Sequence, residues 1–410
     1  MLHATTVRAT RVRATSVLGM SVLGMRVQAI RALYISVQAT RVLGVGVRGV
    51  GVRGISVLAI RVLAMSALGI SLGLAVTAPN AARAAEITLT ETGSTLLQPL
   101  FAIWVAEYTK THPGVAITIA GTGSEAGINQ AAAGAVQIGA SDAYMSDAQV
   151  RQTPAVMNIP LAIAAQTINY NLPGLAAAHL KLDGPTLAGI YTGAVRDWDA
   201  PAIAALNPGV TLPHHAIIPI HRGEGSGDTF VFTQFLTFST PSWEDDKGYG
   251  TTIAWPEVPG GVAATGNDGM VKAIQATPYS IGYIGVSFSD AVAAAELGTA
   301  AVKNNAGLFV LPGKDGVIAA AAALGPRTPP DERLTLAFAP GDTSYPLVSY
   351  EYAMVSKHQR DPATAVALRR FLLWCIEPSE DKAALLDRVH FIPLPAHTWE
   401  LSQAQIQMIK

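Results

Sequence analysis

The chain has 410 residues, of which 50% are hydrophobic and 14% charged, with one cysteine and a formal net charge of -1. A single thiol, Cys375, excludes an intrachain disulfide framework and a cysteine-based zinc site. The near-neutral total hides a split. Residues 1–85 carry ten arginines and no acid (+10), and the remaining 325 carry 18 Lys and Arg against all 29 acids (-11), so the body is a poor partner for nucleic acid or an anionic membrane.

Residues 1–85 read as a leader rather than as part of a fold. SVLGM repeats in tandem at 16–25 and GVRG recurs at 46–49 and 51–54, with no solenoid period. A basic flank at Arg61, the apolar run Val62–Val76, Pro79 and Ala82-Arg83-Ala84 describe a secretory signal cleaved near Ala84 or Ala85. The apolar run is short of the roughly 20 residues a membrane span needs, and no cysteine follows it to take a lipid. From Glu86 the pattern is α/β. Ile87–Leu89 predicts a strand, and apolar residues at helical spacing predict a helix over Leu96–Tyr108. Val115–Ala120 predicts a second strand, 125–134 an alanine-rich helix and Val136–Ser141 a third strand. Strand, small-residue turn and helix in repetition indicate a parallel sheet with helices on its faces. Two further apolar, β-prone stretches, 158–172 and 345–355, are candidates for strands crossing between domains, while 240–268 and 311–331 read as Gly/Pro-rich loops.

Three constellations carry chemistry. Gly93-Ser94-Thr95 and Gly121-Thr122-Gly123-Ser124 each place hydroxyls at a predicted helix start, where side-chain caps and free amides suit an anion. The spacing of Gly121, Gly123 and Gly127, with Asp142 some twenty residues on, also leaves a dinucleotide reading open. The most specific is His221-Arg222-Gly223-Glu224-Gly225-Ser226-Gly227-Asp228-Thr229-Phe230. Arg222 offers a rigid donor fork for an oxyanion, Glu224 can orient it, and Ser226 or Thr229 can cap the helix that follows. Asp142, at a strand end, repels anions unless the ligand carries a proton for it to accept, which favours P–OH over sulfate.

On these residues, with Gly139-Ala140-Ser141-Asp142, Gly266-Asn267-Asp268-Gly269 and Ser280-Ile281-Gly282-Tyr283, residues 86–410 resemble the phosphate-binding subunit of the phosphate ABC transporter. The resemblance implies a two-domain, type II periplasmic-binding-protein fold with two crossing strands as hinge. Domain 1 would be 86–165 plus 350–410, and domain 2 would be 166–349. It implies a periplasmic, soluble, non-lipidated monomer that captures inorganic phosphate for the permease subunits, with no cofactor, metal or nucleic acid and no enzymatic activity. Its implied contacts are Ser94, Thr95, Leu96 (through its backbone), Ser124, Asp142, Arg222, Ser226 and Gly227, with Asp228 and Thr229 beside them and Glu224 as salt-bridge partner of Arg222. Asp228 departs from the family, whose members carry Thr there. Rival readings are a binding protein for another oxyanion, or a phosphatase or nucleotide-dependent oxidoreductase; no motif supplies a nucleophile with an activating base.

Overall fold

The computed structural model describes residues 86–410; the leader, its signal-like segment and the expected cleavage point lie outside the described residues. The chain opens with β1 (Ile87–Gly93), α1 (Gln98–Thr111), β2 (Val115–Thr118), α2 (Ser124–Ala132), β3 (Ile138–Ser141) and α3 (Asp147–Gln152). β1 runs parallel to β2 and β3. α1 buries Leu100, Phe101, Trp104 and Tyr108, the spacing of one helical stripe. α3 begins with a capping box in which the Ser146 hydroxyl and the Gln149 side chain satisfy each other's amides.

β4 (Val156–Tyr170) is buried along all 15 residues, as a near-continuous apolar run requires. β5 (Lys181–Leu182), α4 (Gly184–Thr192), α5 (Pro201–Ala204), β6 (Ile218–Arg222), α6 (Gly227–Ser239) and α7 (Pro241–Asp246) follow. Next come β7 (Val262–Ala264), α8 (Gly266–Ala276), β8 (Ser280–Gly285), α9 (Ser289–Ala294), β9 (Gly298–Thr299), β10 (Ala301–Lys303), β11 (Phe309–Val310) and α10 (Lys314–Leu324). The chain closes with β12 (Val348–Ser356), α11 (Pro362–Cys375), α12 (Glu380–Asp387) and α13 (Ala396–Gln407).

The main sheet has the order β2-β1-β3-β12-β4-β8-β6-β7, with β9 also on β4. β4 is the shared strand. Val156–Ala165 pair with β12, and Gln166–Tyr170 pair with β8. A second extended stretch runs beside that crossover: Gln166 N donates to Leu347 O at 3.0 Å and Tyr345 Oη to Gln166 O at 2.9 Å. Both long-range stretches expected from the sequence are therefore neighbours in space. One core cluster includes Trp104, Trp198, Tyr350 and buried Cys375; a smaller one gathers Ile220, Met270, Ile274 and Ile284 around β6, β8 and α8.

Two expectations need correction. The sheet is mixed, because β12 is antiparallel to β3 and β4, and β4 to β8; a return strand inserted from the chain's far end cannot be read from local repeats. The stretch 311–331 is not simply a loop but contains α10, where the alanine run 319–323 favours helix over the flanking Gly and Pro. Likewise 240–268 contains α7 and β7.

Candidate anion-binding site

Four chain turns meet where β1, β3 and β6 end. Gly93 closes β1 with φ +140°, and a Cβ there would lie 2.0 Å from the Ala140 carbonyl oxygen, so only glycine fits. The next residue, Ser94, accepts from the amides of Leu96 and Leu97 at 3.1 Å each and donates to Asp142 Oδ1. α1 itself starts later, after Leu97, without a side-chain cap. Ser94 therefore organises the turn ahead of the helix and is not its cap. Ser124 likewise departs from its expected capping role. The N-cap of α2 is Gly123 at φ +95°, with no side-chain bond, and Ser124 Oγ instead accepts from Asp142 N at 3.2 Å and lies 3.4 Å from Asp142 Oδ2. Both hydroxyls are thus spent on holding Asp142 at the end of β3.

From the other side, β6 delivers Arg222 and the glycine turn delivers α6. Ser226 is the N-cap of α6 and accepts from Thr229 N at 3.4 Å. Arg222 Nε donates to Glu224 Oε1 at 2.8 Å, a bond its Nη2 shares. Nη1 donates to Asp228 Oδ2 at 2.5 Å, and Nη2 reaches Thr95 Oγ1 at 3.2 Å. Gly227 brings the two sides together: a Cβ on it would fall 2.4 Å from Asp142 Oδ2 and 2.5 Å from Ser124 Oγ. Gly225 O accepts from Glu125 N at 3.2 Å, and the Glu125 carboxylate accepts from Thr252 Oγ1 at 2.8 Å and Thr251 Oγ1 at 3.3 Å.

Of the expected contacts, Ser94, Thr95, Ser124, Asp142, Arg222, Glu224, Ser226, Gly227 and Asp228 come together. Leu96 sits beside them, its amide held by Ser94. Thr229 does not join: its hydroxyl pairs with Tyr283 Oη at 2.7 Å, and the same phenol accepts from Arg222 N at 3.0 Å. Two residues were missed. Asn267, in the first turn of α8, donates from Nδ2 to Thr95 Oγ1 at 3.0 Å and Asp228 Oδ2 at 2.8 Å, while its Oδ1 accepts from Gly285 N at 2.7 Å. Glu351 is fully buried on β12, where the pairing of Tyr352 with Ser141 sets it opposite Asp142. Its signal was a lone acid in the apolar stretch 345–355.

Arg222 bonds to Glu224 and Asp228, Asp142 lies within its field, and Glu351 lies opposite Asp142. Burial, then the charge of Asp228, pushes the Asp142 carboxyl up to about 7, against the opposing pull of Glu351, Ser94 and Arg222. Burial raises Asp228 despite Arg222 and Asn267, and burial with the Asp142 charge holds Glu351 far above the usual carboxylate range. Burial acts in the same sense on Glu224, but Arg222 more than reverses it and holds that carboxyl below its ordinary value. Asp228 Oδ1, Glu224 Oε2 and Glu351 Oε2 are buried without hydrogen-bond partners. Among the described residues no group of three or more His, Cys, Asp or Glu could hold a metal ion.

A family model described as a PBP superfamily domain matches residues 77–379. The "Phosphate-binding protein PstS" of Pasteurella multocida is 33% identical over 318 residues, covering 78% of this chain and 89% of the relative. The chain belongs to the phosphate-binding protein (PstS) family. A protein of the same name from Methanocaldococcus jannaschii is 30% identical, covering 81% of this chain and 88% of that one. This family consists of substrate-binding transport proteins rather than enzymes, which removes the phosphatase and oxidoreductase readings. Among solved structures, a high-affinity periplasmic phosphate-binding protein (PfluDING) with bound phosphate superposes with a TM-score of 0.63 at 23% identity, covering 78% of this chain and 93% of that one. The phosphate-binding protein of Stenotrophomonas maltophilia gives 0.60 at 19% identity, covering 78% and 94%. The PstS-family chain therefore has the two-domain periplasmic-binding-protein fold.

Proposed function

We propose that this chain is exported, captures inorganic phosphate at the junction of β1, β3, β6 and α6, and hands it to the permease of an ABC importer. The proposed lobes are 86–165 with 350–410, and 166–349, hinged where β4 passes from β12 to β8. The relatives' names support the ligand class. Among the described residues no helix is long and apolar enough to cross a membrane, and the signal-like leader supports export. The protein is proposed to act as a monomer.

The observation that carries the reading is Asp142, 2% exposed, clamped by two serines and facing the arginine side across Gly227. A buried carboxylate beside an anion is tolerable only if the anion brings a proton, as phosphate does and sulfate does not. Asp228 Oδ1, also buried and unpartnered, is a second acceptor that favours the more protonated form of phosphate. Titration calorimetry of the ligand-stripped protein at about pH 8, above the raised Asp142 value, should show one-to-one phosphate binding and no sulfate heat. In Asp142→Asn, phosphate should weaken by about 10- to 100-fold and sulfate should gain affinity. On acidification of the unmodified protein through about pH 7, Asp142 gains a proton and becomes a donor, so sulfate binding should grow. Equal affinity for both anions at pH 8 would remove the proton-acceptor role; no binding of either would remove the function.

A further inference from the structure

Glu351 belongs to none of the turns that form the anion site, and its position calls for a role. It lies on β12, fully buried, on the strand that separates β3 from β4. Ser349 Oγ donates to its Oε1 at 2.8 Å, and its Oε2 has no donor. Its carboxyl is within hydrogen-bond reach of the Asp142 carboxyl. Two carboxylates cannot hydrogen-bond each other; one must carry a proton. The choice between them is asymmetric. Asp142 already receives the Ser94 and Ser124 hydroxyls and lies within the field of Arg222, all of which favour its charged form. Glu351 receives one serine and is shielded from Arg222 by Asp142 and Asp228, whose charges both oppose its ionisation.

We infer that Glu351 is a positioning residue that keeps its proton and donates it in a hydrogen bond to Asp142 from behind the anion site, holding Asp142 charged and its remaining acceptor capacity turned toward the bound anion. This rests on the phosphate reading of the same site and adds a residue and a pH dependence to it. The Glu351 proton resolves the orphaned Oε2 and reduces the site's negative charge by one. The groups facing Glu351 are Asp142 after β3, Asp228 in α6 and Ser349 on its own strand, with Arg222 and Glu224 beyond them. Burial raises the phenols of Tyr144, Tyr283 and Tyr352 above their ordinary value of about 10, so they keep their protons below it. Once Glu351 ionises, a fixed negative charge appears behind Asp142, and phosphate affinity falls.

The test is phosphate titration of the full chain from about pH 6 to about pH 10, for the unmodified protein, Glu351→Gln and Glu351→Leu. Above about pH 8 phosphate keeps a single proton, so a falling alkaline limb reports the protein. The unmodified protein should lose affinity along that limb as Glu351 ionises, and a limb that stays flat to about pH 10 overturns the pH dependence. Glu351→Gln, which keeps a neutral donor, should bind within about threefold of the unmodified protein at pH 7 and show no alkaline fall. Glu351→Leu, which removes the donor, should bind about 10- to 100-fold more weakly at pH 7. If Glu351→Leu does not fold, the pH profile of Glu351→Gln decides alone. A Gln variant with the same alkaline fall, or as weak as the Leu variant at pH 7, overturns the role of Glu351 while leaving phosphate binding intact. An unmodified protein that takes no phosphate at any pH overturns the functional reading, and this role with it.

Discussion

The two sides of the site handle buried acids in opposite ways. On the β1–β3–β12 side, Asp142 and Glu351 are buried without a basic residue of their own and are managed by hydroxyls and a retained proton. On the β6–β7–β8 side, Glu224 and Asp228 are managed by countercharge: Arg222 bonds to both, and Asn267 and the Gly266 amide complete their partners. On the first side Asp142 is lifted to about 7; on the second, Arg222 holds Glu224 below its ordinary value, while burial still raises Asp228. A site that must accept an anion with its proton needs both, one side to receive the proton and the other to balance the charge.

The countercharge side breaks hardest. Arg222→Met would leave Asp228 and Glu224 facing each other in a buried setting, and should cost about 3–5 kcal/mol in urea unfolding and abolish phosphate binding. A loss under about 1 kcal/mol would mean that the acids there also survive by holding protons.

The proton-retaining side is tested away from the anion by Glu91, buried on β1. Burial lifts its carboxyl to about 8; the Ala120 amide offsets little of this, and neither oxygen makes a well-formed hydrogen bond. The folded value lies above the unfolded one, so the native chain holds a proton that the unfolded chain releases. Stability therefore falls as pH rises from about 4.5 to about 8 and levels off beyond. Glu91→Gln should recover about 4 kcal/mol of unfolding free energy at pH 8 and little at pH 4.5. An equal change at both pH values would show that Glu91 acts by packing rather than by its proton.

The smallest effect concerns the seam between the two sides. Gly227→Ala should cost about 1–3 kcal/mol of stability and weaken phosphate binding by about 30-fold or more. Its Cβ would press on Asp142 and Ser124, the residues that orient the acceptor. Unchanged affinity would mean that the two sides separate freely at this point.

Much of the site is legible in local sequence, because turns announce themselves. Gly93-Ser94-Thr95, Gly121 to Ser124 and Arg222 to Asp228 each combine glycines that permit close approach with polar groups too costly to bury idly. What local sequence misassigned was the destination of the hydroxyls. Ser94 and Ser124 look like helix caps, yet each is drawn to Asp142, a partner 48 and 18 residues away. Thr229 looked available and is taken by Tyr283. A hydroxyl goes to the strongest acceptor within reach, and reach is a property of the packed molecule.

By itself the sequence determined the alternation of strand and helix, the small-residue turns, the acidic body after a basic N-terminal stretch, and Arg222, Glu224 and Asp142 as the groups worth watching. These depend on periodicity, backbone freedom and side-chain chemistry, which act over a few residues. Only the tertiary structure decided that β12 returns from the far end of the chain to lie antiparallel between β3 and β4, placing Glu351 behind Asp142, and that Asn267 joins Thr95 to Asp228. The physical reason is that strand order is set by which buried faces match across the whole chain, and a carboxyl's protonation by neighbours hundreds of residues away.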